Sequence, residues 1–277
     1  MTNSVAQAVI KRDRNIVLAG LTAVIGFAAY YTISMALEFN SQASFNGGLS
    51  PLESLEYVCG LVTSPEATEI STLTNLQVFW MLFIMWTVMQ VAMMSPTAVP
   101  MVLMYTKIER HRQPDKIPYQ GTILFFCGYL LIWMAFSAVF ALFQLGLENA
   151  NLLTSTMSSA TLWLAGGLLI AAGLFQFSKL KQACLNECRS PVTYLMTDWR
   201  SGLSGALKMG IKHGLHCVGC CWVLMALLFV AGVMNLLWMA VITAVVLIEK
   251  IMPQGVQFGK LAGLVLVIWG TAILILG

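Results

Sequence analysis

Apolar residues along this chain gather in long unbroken runs, separated by short segments that hold nearly all of the charge. The runs span residues 15–37, 78–105, 121–147 and 160–177, then a long stretch 215–248, then 261–276. The 215–248 stretch is too long for one crossing, and residues 232–235 (Gly-Val-Met-Asn) offer a turn that divides it into two runs near the minimum crossing length of about 17 residues. Inside a bilayer every backbone N–H and C=O must be paired within the protein, which leaves helices and closed barrels. A barrel would show alternating segments of about ten residues, and these runs do not alternate. The pattern predicts an all-α, polytopic transmembrane helical bundle of about seven spans. Six spans plus a re-entrant hairpin over 215–248 is the other arrangement the short fifth and sixth runs allow. The chain reads as a single transmembrane domain over residues 1–277, without internal repeats. The first run follows Lys11, Arg12 and Arg14 and has no small-residue cleavage site, so it is expected to remain as a span.

Composition sharpens this reading. Hydrophobic residues make up 58% of the chain and charged ones only 10%, against about 25% charged in an ordinary soluble domain. All 15 Lys and Arg fall in the N-terminal arm, in residues 107–116, in 179–212 and in 250–260. With seven spans these segments share one face, which the positive-inside rule makes cytoplasmic. The expected topology has residues 1–14 as a cytoplasmic arm, 38–75 as an acidic outer loop and 178–212 as a basic cytoplasmic loop. The N-terminus is then cytoplasmic and the C-terminus outside, as in a multi-pass protein of a bacterial inner membrane. The outer loop holds Glu38, Glu53, Glu56, Glu66 and Glu69 and no Lys or Arg. The net charge of +3 is accounted for by this asymmetry, so membrane lipid is the expected partner and nucleic acid is not.

Candidate chemistry concentrates in residues 213–221. On a helix turning 100° per residue, His213, His216, Cys217 and Cys220 occupy an arc of about 100°. Cys221 lies beside them, Met209 shares the face, and Trp222 points away. Thiolate and imidazole ligands suit Cu(I), Zn(II) or an iron–sulfur cluster. Zinc sites usually draw on two separated ligand pairs, and Cys184 and Cys188, one helical turn apart, lie in the basic loop. Clusters typically take four cysteines. Cu(I) accepts two or three soft ligands and ranks first, with zinc second. Cysteine also serves as a small packing residue in helix bundles, so a purely structural stripe is the competing explanation.

The second run carries Met81, Met85, Met89 and Met93 at four-residue spacing, then Met94, Pro96 and Pro100. Thioethers bind Cu(I) weakly, while a methionine stripe is more often packing. The prolines are expected to break the helix and free carbonyls toward a cavity, which makes Met93 and Met94 the candidate ligands. Gln90 and Gln144 are intramembrane polar residues. Glu249 and Lys250 end the sixth run and read as interfacial anchors. Cys59 stands alone in the outer loop.

The sequence Met93-Met94-Ser95-Pro96-Thr97-Ala98-Val99-Pro100 resembles the AMMxPxAxP signature of a bacterial family of predicted metal-binding integral membrane proteins. Residues 200–225, residues 232–239 and Glu249-Lys250 resemble its second signature of HG, CxGCCW, LM, GxMNLxWM and EK. Together these cover about residues 76–251. Some members are called membrane copper chaperones for copper enzymes such as tyrosinases. The resemblance implies a metal site at Met93, Met94, His213, Cys217, Cys220 and Cys221. His216 stands where the family commonly has Tyr.

The leading expectation is a membrane protein that holds Cu(I) at a Cys/His/Met site between the second and fifth spans and delivers it to a copper enzyme or another protein partner. Its site residues are Met93, Met94, His213, His216, Cys217, Cys220 and Cys221. Neither a phosphate-binding loop nor a hydrolase triad is present, so it is not expected to be an enzyme. The competing functions are a non-enzymatic accessory subunit of a membrane enzyme complex and a thiol-redox membrane protein using Cys217 and Cys220.

Overall fold

A computed structural model describes residues 2–44, 75–113, 117–150, 152–153 and 161–276. Among them the chain is built of ten helices. These are α1 (Thr2–Ser44), α2 (Asn75–Arg112), α3 (Tyr119–Asn149), α4 (Leu162–Phe175), α5 (Lys179–Arg189), α6 (Pro191–Thr197), α7 (Leu203–Ala226), α8 (Leu228–Ala231), α9 (Leu236–Ile251) and α10 (Gly255–Leu276). Among the described residues every apolar run carries helix, with the 215–248 stretch interrupted at residues 227 and 232–235. The helices also run on into the polar flanks, because charged residues outside lipid still support helical backbone. The 38 residues of α2 extend about 57 Å at 1.5 Å each, well beyond a hydrocarbon core of about 30 Å.

Five helical segments are long and apolar enough to cross a membrane: Lys11–Ala36, Asn75–Arg112, Tyr119–Asn149, Leu203–Ala231 and Gly255–Leu276. A sixth is reached if α4 and α5, bent by 62° at their junction, are taken as one broken span. The remaining apolar helix, α9, has 16 residues and is shorter than a full crossing. The 62° bend between α4 and α5 is one that the pattern of apolar runs did not predict. The 232–235 turn does form. Gly232 has φ 95°, a left-handed backbone that glycine adopts without strain, and the Asn235 side chain accepts from the backbone N–H groups of Leu237 and Trp238 to start α9. The stretch 178–212 is mostly helical, containing α5, α6 and the beginning of α7. Residues 45–74, with Cys59 and most of the acidic segment, lie outside the described residues.

The bundle is drawn together by small residues. The most extensive packing joins α3 to α7, and glycines make that approach close. A Cβ at Gly128 would stand 2.5 Å from the Leu207 carbonyl oxygen, and one at Gly210 only 1.9 Å from the Phe125 carbonyl oxygen. Helix backbones in lipid gain mainly from such van der Waals approach. A second glycine seam joins α4 to α10 through Gly166 with Gly270 and Gly173 with Gly263. Because backbone cannot rotate out of the way, Gly210→Ala is expected to destabilise the protein by about 2–3 kcal/mol through overpacking. Thermal unfolding in detergent measures this. Gly146→Ala, on the same helix pair but with no atom within 4 Å of the new Cβ, should leave the midpoint unchanged or raised.

At the basic end, polar links fix the helices to one another. Arg110 of α2 pairs with Asp13 of α1 at 2.7 Å, and the Tyr119 hydroxyl of α3 donates to the same carboxylate. Lys181 of α5 forms a buried 2.7 Å ion pair with Glu249 of α9. Arg189 donates to the carbonyls of Met252 and Pro253 in the turn leading to α10. Lys212 of α7 pairs with Asp198 beyond α6. Together these hold α5 and α6 across one end of α7.

Candidate metal centre

The buried face of α7 carries Met209, His213, Cys217, Cys220 and Cys221, while Trp222 is 42% exposed. The stripe expected from helical periodicity is therefore the inward one. It faces α2, whose inner surface includes Met85, Met89, Gln90, Met93, Met94 and Thr97. The Cys221 and Met94 sulfurs are 3.9 Å apart across the two helices. Met93 is buried in the same segment. Both kinds of soft donor, thioether and thiol, thus meet between α2 and α7.

Cys217 lies where four helices converge. Its sulfur is 2.9 Å from the Lys250 amine of α9, 3.3 Å from the Tyr129 hydroxyl of α3 and 3.9 Å from the Thr97 hydroxyl of α2. The Lys250 amine also donates to Thr97 at 3.1 Å. The Tyr129 hydroxyl donates to the Met94 carbonyl at 2.8 Å, which ties α3 to the methionine segment. The Cys220 and Cys221 thiols both donate to the Cys217 carbonyl, at 3.0 and 2.9 Å. Metal ligation would exchange these weak helix contacts for metal–sulfur bonds, a rotation about each cysteine's χ1.

His213 is buried among Phe125, Tyr129 and Tyr194, with ring centroids 6.0, 5.6 and 5.9 Å away. Its Nδ1 has no hydrogen-bond partner among the described residues. A buried imidazole nitrogen without a partner is costly unless it serves another purpose. His216 is placed differently. Its Nδ1 is 2.8 Å from the Lys212 carbonyl oxygen of its own helix, and its ring meets the Tyr194 ring.

Several sequence expectations change here. Glu249 and Lys250 are not interfacial anchors: they are 1% and 8% exposed, Glu249 pairs with Lys181, and Lys250 reaches the Cys217 sulfur. The last turn of α9 carries them inward, Glu249 against α5 and Lys250 against α7. The prolines do not break α2, which remains helical through Pro96 and Pro100. Met81, the first member of the methionine stripe, is 59% exposed, whereas Met85, Met89 and Met93 are buried. Gln144 accepts from Trp86 Nε1 and donates to Glu148. Gln90 is fully buried, and neither side-chain atom has a partner among the described residues.

Sequence reasoning missed Thr97, Tyr129, Lys250 and Cys188 as neighbours of the stripe. Two signals were available. A Glu-Lys pair ending an apolar run is costly in lipid unless it turns inward, and Cys184 and Cys188 sit at the four-residue spacing that gives a helix a common face. Cys188 interacts with the Cys220 thiol, and Cys184 sulfur lies 2.7 Å from where a Cβ on Gly219 would stand.

The donor set is soft and low in number. Among the described residues no three His, Cys, Asp or Glu side chains converge as a preformed metal site, so a tetrahedral zinc centre finds no support. Two sulfurs from facing helices with a third thiol nearby fit the low coordination that Cu(I) accepts. A family model described as a copper chaperone, PpoB2, matches residues 83–273. The chain belongs to this copper chaperone family. The copper chaperone match takes in every residue named at the centre, from Met93 to Lys250, and leaves α1 outside. No curated protein and no solved structure matches the chain.

Proposed function

We propose that this copper chaperone family member binds Cu(I) between α2 and α7 as its cargo and hands it to a copper-dependent protein at or beyond the membrane. The observation that carries the reading is the 3.9 Å approach of the Cys221 and Met94 sulfurs, flanked by Cys217. In this reading Cys217, Cys220 and Cys221 supply the strong thiolate ligands. Met94 and Met93 supply weaker thioethers from which the ion can leave, and His213, with its unpartnered nitrogen, serves on the basic side. His216, turned to its own helix carbonyl, acts at the rim. Thioether and thiolate sulfur exclude harder ions, and a Cu(I) ion between two thiolates carries a single negative charge that the Lys250 ammonium neutralises in a medium of low dielectric. The protein performs no bond-making chemistry of its own.

The same reading extends to topology. Seven crossings follow if α4 and α9 each traverse, with neighbouring helices sheltering the short ones. The basic segments then lie in the cytoplasm of a bacterium, the N-terminus inside the inner membrane and the C-terminus outside, with residues 178–212 forming the cytoplasmic cap.

Purified full-length protein in detergent, loaded with Cu(I) under anaerobic, reducing conditions and freed of loose metal, should retain about one copper per chain. The Cys217→Ser/Cys220→Ser/Cys221→Ser variant should retain essentially none. Equal copper on the two proteins would overturn the proposal.

A further inference from the structure

Cu(I) bound in cells moves from thiol to thiol by ligand exchange, which requires that the receiving sulfur be reachable by the donor. Cys217, Cys220 and Cys221 are each no more than 1% exposed, so an arriving copper complex does not meet them directly. Among the described residues, the partly exposed thiols that pack against the stripe's helix are on α5. Cys184 and Cys188 are half-buried, lie on one face of that helix and pack against α7. Gly219 permits the approach, since a Cβ there would stand 2.7 Å from the Cys184 sulfur. Cys188 interacts with the Cys220 thiol, and so joins the solvent-facing side of α5 to the buried cysteine stripe. The Lys181–Glu249 pair and the Arg189 contacts hold α5 in this position.

We infer that Cys188 and Cys220 form an intake site on which Cu(I) from a small anionic thiolate complex is captured before it passes to Cys217, Cys221 and Met94. This rests on the copper reading above and assigns it a direction, from the α5 side inward. A linear S–Cu–S geometry needs only two sulfurs. Capture is ligand exchange without oxidation. Two donor thiolates leave copper, taking up the protons of the Cys188 and Cys220 thiols, and two protein thiolates replace them on Cu(I). An anionic donor complex is drawn by the basic residues of this end, among them the exposed Lys179 at the start of α5 and the exposed Lys208 on α7. The next exchange is short, because Cys220 and Cys221 are consecutive and both thiols already meet at the Cys217 carbonyl.

The test uses the full chain in detergent and Cu(I)–glutathione as donor, with stopped-flow loading and a separate equilibrium competition against a chromogenic Cu(I) chelator. Cys188→Ser is expected to slow loading by about tenfold while equilibrium retention changes by less than about threefold, because the inner sulfurs are intact. Cys127→Ser, on the exposed face of α3, should load at the wild-type rate. Unfolding midpoints check that each variant is folded. In a second measurement, maleimide labelling of Cys188 should be blocked when copper is supplied to the Cys217→Ser/Cys221→Ser variant, where the ion is stranded at the intake pair. Wild-type loading rates in Cys188→Ser, or unprotected Cys188 in the stranded variant, overturn this inference while leaving the inner copper site standing. A wild-type protein that takes no copper overturns both.

Discussion

Replacing Lys250 with Met should cost the protein most of its hold on Cu(I) while leaving its fold intact. Lys250 is the cationic side chain against the Cys217 sulfur, at 2.9 Å, and among the described residues its amine is otherwise held only by Thr97. Once copper sits between two thiolates, the complex is anionic and shielded from water. Losing the compensating charge leaves that anion uncompensated, at about 2–3 kcal/mol or roughly 30- to 150-fold in dissociation constant. In the copper-free protein the Cys217 sulfur can rest as a neutral thiol, so the same change strands no charge and substitutes an apolar chain of similar length, which is close to neutral for stability. The expected result is therefore a split: weaker retention in chelator competition with an unfolding midpoint within a few degrees of wild type. Lys250→Arg should retain much of the affinity. Unchanged affinity in Lys250→Met would show that the cation has no part in holding copper.

The Lys181–Glu249 pair should behave in the opposite way, mattering for the fold itself. Both side chains are nearly inaccessible, and the Glu249 Oε1 has no partner among the described residues. Lys181→Ala strands a buried carboxylate, for which about 3–5 kcal/mol of destabilisation is expected, or roughly 10 °C in the midpoint. Removing both charges, as Lys181→Met/Glu249→Met, should recover most of that loss, because the pair's own desolvation cost disappears with it. Thermal unfolding in detergent of Lys181→Met, Glu249→Met and the Lys181→Met/Glu249→Met double variant gives the coupling energy directly. Additive losses would mean that the two residues do not act on one another. The single variants also free α5, so the midpoint drop should be accompanied by faster maleimide labelling of Cys188.

Much of this protein was legible before any coordinates. Long apolar runs dictate helices in lipid because the backbone has no other partner there, and among the described residues each run does carry helix. Periodicity also identified the inward face of α7, since residues three or four apart on a helix share a side, and Trp222 faces out as that geometry requires. The adjacency of Met94 to Cys221 was a matter of matching depth along two runs, and the two sulfurs meet. Charges near run ends were harder. Glu249 and Lys250 read as anchors because a helix end normally reaches the headgroups, yet α9 is 16 residues long and its end is inside the bundle.

Sequence alone thus determined that the chain is helical and apolar, which face of α7 turns inward, and which cysteines line that face. These follow from local rules: hydrogen-bond satisfaction, a fixed turn per residue and the softness of sulfur. Only the tertiary structure decided that Lys250 and Tyr129 border Cys217, that α5 folds back to bring Cys188 to Cys220, and that α2 stays helical through its prolines. Those facts depend on how closely helix backbones approach at Gly128, Gly210 and Gly219 and on where the 62° bend after α4 sends the chain. Distances between segments far apart in sequence are set by that packing, and no local pattern encodes them.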